Sequence, residues 1–118
     1  MNKKVRIAMN REWALARAAR DQRDLDAAFA HLERAHILSQ RFTWAHVRTH
    51  LFMLGIGWQR RDARELLGQL SRTLAAAVFS RLWIPEGNTG GANVSAFRSM
   101  PVPADLRAVL DSRPDEIV

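Results

Sequence analysis

Residues 24–58 read DLDAAFAHLERAHILSQRFTWAHVRTHLFMLGIGW, and this stretch decides the fold class. Leu25, Ala28, Phe29, Leu32, Ala35 and His36 recur at the three-and-four spacing of one buried helix face, and Asp24 stands where a side-chain oxygen can cap the first free amides. Ser39-Gln40-Arg41-Phe42 interrupts the pattern. Thr43 then offers a second N-cap, followed by Trp44, Val47, Leu51, Leu54 and Trp58, the expected apolar stripe of another helix. So short a connection makes the two helices antiparallel neighbours.

The same grammar extends in both directions. Asn10 is positioned to cap an earlier helix running to about Arg20. Asp62-Ala63-Arg64-Glu65 has the form of a capping box and opens a helix carrying Leu66, Leu67, Leu70 and Leu74, which is expected to reach Trp83. Gly55 and Gly57 either permit close packing or fray the end of the helix before it. Past Pro85 the composition turns to Glu86-Gly87-Asn88-Thr89-Gly90-Gly91-Ala92-Asn93, the chemistry of turns. A short helix at about 103–111 docks back through Ala104, Leu106, Val109 and Leu110, and 112–118 reads as a loose end. The expectation is an all-α single domain over 1–118: a small antiparallel helical-hairpin bundle with its core in about 10–84, a Gly/Asn-rich loop at 85–102 and the short C-terminal helix. Its four main helices fit either a four-helix bundle or a tetratricopeptide-like pair of hairpins. Asp24 and Asp62 lie 38 residues apart, but the tetratricopeptide marker positions are not met.

A chain of 118 residues with 47% hydrophobic and 25% charged residues can bury one core. No run of about 18 apolar residues could span a bilayer. The basic start lacks a sustained apolar region, so a cytoplasmic location is expected. Without cysteine there is no disulfide, thiolate ligand or thiol nucleophile, and any metal must be held by nitrogen and oxygen. The net charge of +6 comes mostly from arginine, only Lys3 and Lys4 being lysine. These arginines are dispersed among acidic residues, which reads as a solvated surface; nucleic acid is not favoured, whereas an acidic protein partner remains compatible.

All four histidines fall within residues 31–50. Counting outward from the turn near residue 41, His36 is level with His46, and Glu33 is nearly level with His50. Glu33 and His36 are three apart, His46 and His50 four apart, so each pair shares a helix face. Helices about 8–10 Å apart would let imidazoles and a carboxylate reach one ion. Glu33, His36, His46 and His50 are therefore the candidate metal ligands, for zinc, nickel, copper or iron. His31, five residues before His36, is rotated roughly 140° away and is excluded. The competing reading is structural: histidines bordering an apolar stripe, bonded to carboxylates or carbonyls, with Glu33 paired to an arginine. A di-iron carboxylate centre would need a second E-x-x-H motif, which is absent; Glu12 and Glu65 read as helix first-turn residues. Gly87-Asn88-Thr89-Gly90-Gly91 could cradle an anion, but it lacks the Lys-Ser or Lys-Thr of a P-loop and reads as a connector.

The segments Leu32 to Gln40, Trp44 to His50 and Gly87 to Ser95 together resemble a family of short bacterial proteins, domain of unknown function 3703, over roughly 10–110. The glycine-asparagine segment is the most distinctive part. The resemblance implies a compact domain; it carries no activity and no site residues. Two functions of different class follow from the residues: a metal-binding helical protein with no catalytic residue assigned, or a helical-hairpin interaction module using the arginine-rich faces and Trp83 or Phe97. A small metalloenzyme is the third, and a homodimer could complete a half-formed site.

Overall fold

The computed structural model describes residues 1–79, 88–91 and 98–112. The fold is all-α: α1 (Lys3–Asp21), α2 (Leu25–Ser39), α3 (Thr43–Arg60), α4 (Ala63–Phe79) and the short α5 (Ala104–Leu110). No helix is long and apolar enough to cross a membrane among the described residues.

Helix α1 starts a full two turns before the Asn10 cap expected from the sequence. Asn2 caps it instead, its side chain accepting from the Val5 amide at 2.9 Å. The extension is favoured because Val5 and Met9 continue the buried stripe of Trp13 and Ala16, while Asn10 lies on the exposed side. Asp24 caps α2 as expected, accepting from Ala27 N–H at 3.1 Å. At α3 the cap residue is Phe42, extended and without a side-chain cap bond, so Thr43 already belongs to the helix.

Helices α1 and α2 pack together, as do α2 and α3, and α3 and α4, with α5 lying against α1 and α2. Since α1 and α4 form no comparable pair among the described residues, the four helices make an open run of antiparallel hairpins and not a ring-closed bundle. The two hairpin turns share one device. Arg23 and Arg61 both adopt the left-handed conformation (φ 58° and 54°), and each is followed by an aspartate whose carboxylate takes the amide three residues on. The 38-residue offset noted in the sequence is thus a repeat of turn geometry.

The core is formed by Met9, Trp13, Phe29, Leu32, Leu38, Met53, Ile56 and Leu106, each large side chain contributing about 2 kcal/mol by its burial. Helix α3 departs from the sequence reading. Its stripe of Trp44, Leu51 and Trp58 is exposed, Val47 and Leu54 are half-buried, and the face turned inward is Ala45, Thr49, His50, Met53 and Ile56. On α4, likewise, Leu67, Leu70 and Leu74 are exposed while Glu65, Gln69 and Ala76 are buried. The inward polar groups can be buried because they satisfy one another: Trp13 Nε1 donates to Thr49 Oγ1 at 3.1 Å, and Thr49 donates to Ala45 O at 2.8 Å. The expected reach of α4 to Trp83 lies outside the described residues, as do Trp83 and Phe97 themselves.

Candidate metal centre

His36 comes from the last turn of α2, and His46 and His50 from the first two turns of α3. The tight turn at 40–42 folds α3 back so that the three imidazoles meet. Their Nε2 atoms form a small triangle: His36 to His46 2.9 Å, His46 to His50 3.1 Å, His36 to His50 3.2 Å. The rings stand edge to face or tilted, with centroids 4.7–4.8 Å apart, so they converge at their tips and do not stack.

The outer nitrogens decide what lies at that point. His36 Nδ1 is 2.7 Å from Asn88 O, and His50 Nδ1 is 2.5 Å from Gln69 Oε1. A carbonyl oxygen can only accept, which makes both Nδ1 atoms donors. The Gln69 amide is itself oriented by its nitrogen, which donates to Glu65 Oε1 at 2.6 Å and Gly90 O at 2.8 Å. In the neutral rings, His36 Nε2 and His50 Nε2 are consequently both lone-pair acceptors, facing one another at 3.2 Å. His46 can supply at most one proton between them.

A fully charged ring is disfavoured at each position. Burial pushes His36 well below the ordinary imidazole range, with His50 and His46 adding to the effect; burial and then His50 push His46 down to about 3; burial brings His50 down to about 4 against the raising influence of Gln69. Two neutral imidazoles fixed with their lone pairs inward, and a third neutral one converging on the same point, are an arrangement that suits a divalent cation. Nitrogens about 2.0–2.1 Å from a tetrahedral zinc ion sit about 3.3 Å apart, a few tenths of an ångström wider than the triangle. The three ligand atoms form the one such cluster among the described residues.

Glu33, the fourth ligand expected from the sequence, does not join the triangle. It is half-buried on the neighbouring turn of α2 and hydrogen-bonds to Thr89. Its carboxyl is raised above the usual range, chiefly by burial and also by Glu65, against the lowering effects of Thr89 and Arg60. The physical reason is the segment 88–91, which reaches the same face of α2 and engages this side chain before it can turn to the imidazoles. His31, set aside on helical geometry, indeed points elsewhere: its Nδ1 is 2.8 Å from Glu12 Oε2. Glu12 is not a first-turn residue but lies mid-helix and buried, joining His31 to Arg34, whose Nε donates to it at 2.8 Å.

The residues around the histidines went unread in the sequence. Gly90 sits against the His36 ring with φ +82°; a Cβ there would stand 2.6 Å from His36 Cδ2. Asn88 shapes that turn, its Oδ1 accepting from Gly90 N at 2.9 Å and its Nδ2 donating to Arg98 O at 2.7 Å. Arg72 donates to the carbonyls of Gly90 and Gly91 from α4. The described part of the expected connector is therefore a wall of the site. Three glycines around Asn88 and Thr89 were the available signal, and that signal marks a turn without saying against what it packs.

Residues 3–110 match the family described as Protein of unknown function (DUF3703). The chain belongs to that family. The match covers every helix of this DUF3703 member, all three histidines and the 88–91 segment. Neither a curated protein nor a solved structure matches it.

Proposed function

We propose that this protein binds a divalent transition-metal ion, zinc foremost, on the Nε2 atoms of His36, His46 and His50. The observation that carries the reading is the lone-pair contact between His36 and His50, each with its Nδ1 committed to a carbonyl oxygen. Carbonyl partners on the far nitrogen of a ligating histidine fix the tautomer and raise the basicity of the ligand.

Three nitrogens on one side of an ion leave coordination positions on the other. With sides of 2.9–3.2 Å, a zinc ion at its usual bond length sits roughly 1 Å out of the plane of the triangle. Three protein ligands plus an exogenous one is the arrangement of open zinc sites, in contrast to the four protein ligands of closed structural ones. Water or a small donor molecule completes the sphere, and imidazole donors equally suit nickel, copper(II) and iron.

The test is competitive titration of metal-free protein with zinc, nickel, copper and iron against a chromophoric chelator. One ion per chain is expected, with binding lost in His46→Ala. Affinity no tighter than millimolar for every ion overturns the reading.

A further inference from the structure

The outward side of the α3–α4 hairpin carries an apolar surface that the fold does not use. Along α3, Trp44, Val47, Leu51, Leu54 and Trp58 alternate at three and four residues; along α4, Leu67, Leu70, Leu74 and Val78 do the same. Trp44 is 85% exposed, Trp58 73%, Leu67 69% and Leu74 70%. No charged residue occupies any of these nine positions, in a chain that is 25% charged.

The two stripes adjoin. Helix α3 meets α4 through His50 and Gly57, which contact Gln69 and Glu65. At about 100° per residue, Leu54 and Val47 lie within about 80° of those contact positions, on the side of α3 away from α2. Because the helices are antiparallel, the flank of α4 on that side is the one bearing Leu66, Leu70 and Ala77, which leads on to Leu74 and Leu67. One face of the hairpin thus closes over the histidines, and the other is a continuous hydrophobic layer.

We propose that this layer is a homodimer interface, on which the α3–α4 hairpin of a second copy docks about a two-fold axis to form an intermolecular four-helix bundle. The three-four spacing on both helices is the pattern that interdigitates between antiparallel helices. The exposed residues present on the order of 900 Å² per chain, against about 800 Å² per partner in a standard stable interface and a largest patch of about 300–600 Å² on an ordinary monomer. A self-complementary apolar face meets its own copy without charge repulsion. Docking onto an anionic lipid surface fits less well, because the stripes include no lysine or arginine. An open run of hairpins also needs its terminal helix covered, and α4 is the terminal helix here.

Sedimentation or light scattering tests this, with a mass twice the 13.4 kDa of the chain expected at micromolar concentration. Leu51→Glu combined with Leu70→Glu is expected to halve that mass with helical circular dichroism unchanged, since both side chains are exposed in one chain. As the chain has no cysteine, Leu51→Cys near the middle of the stripe supplies a second check, forming a single intermolecular disulfide on oxidation. A wild-type protein that stays at 13.4 kDa up to submillimolar concentration overturns the proposal, whether or not it adsorbs to phosphatidylserine vesicles. So does a dimer unaffected by the double substitution. Leu51 and Leu70 are exposed and turned about 100° from His50 and Gln69, so the double variant is expected to keep full metal stoichiometry, and this reading can fail independently of the metal reading.

Discussion

Gln69 of α4 accepts the Nδ1 hydrogen of His50 on α3 at 2.5 Å, and the amide cannot turn round, because its nitrogen is held by Glu65 and Gly90. A neutral side chain two bonds removed from any ion thereby sets which nitrogen of His50 points into the triangle.

Substituting Gln69 should therefore act on metal affinity more than on fold. Gln69→Leu removes the acceptor and frees His50 to exchange tautomers, and affinity is expected to fall about 10–100-fold. Gln69→Glu keeps an acceptor for His50 but places a second carboxylate beside Glu65. It is expected to retain more of the affinity than the leucine variant. Chelator competition on the two purified variants measures the difference, and equal losses would remove Gln69 from the account.

Gly90 is expected to tolerate nothing larger. Gly90→Ala adds a Cβ 2.6–2.8 Å from three atoms of the His36 ring and strains a backbone at φ +82°. A stability loss of about 2–3 kcal/mol is expected by chemical denaturation, together with a displaced His36 and weakened metal binding. Gly55→Ala is the control. No atom lies within 4 Å of its Cβ, and replacing a helical glycine is expected to stabilise by about 0.4–1 kcal/mol.

The pH dependence has a definite sign. In the metal-free fold the three imidazoles sit below their ordinary range of about 6.5, so the unfolded chain binds more protons than the folded one as pH falls. Apo stability is fully present above about pH 6.5 and is lost progressively as pH falls toward 4 and 3, where His50 and His46 finally protonate. Urea midpoints at successive pH values measure this. The same depression means the ligands are already neutral at pH 6. Calorimetry there, in buffers of different ionisation enthalpy, is expected to show far less than the roughly two protons that three exposed histidines would release on metal binding at this pH.

The histidine triad was legible where one hairpin was enough to place it. His36, His46 and His50 are brought together by two helical periods and the length of a single turn, all of which are local quantities. Glu33 satisfied the same counting and was drawn elsewhere by Thr89, a residue 56 positions away whose approach no helical period encodes. Gln69, Asn88 and Gly90 reach the site from other elements, and for them the chain offered a helix position and a turn composition but no partner.

The periodicity of residues 24–58, the caps at Asp24 and Asp62 and the absence of cysteine determined from sequence alone that this chain folds as helical hairpins and that no metal can be held by a thiolate. Only the tertiary structure decided which face of α3 turns inward. Helix α3 carries two candidate faces, one rich in tryptophan and leucine and one bearing Thr49, His46 and His50. Transfer free energies alone would bury the first. The second is buried because Trp13, His36 and Gln69, from three other helices, satisfy its polar groups, and a satisfied polar face no longer carries the cost of desolvation.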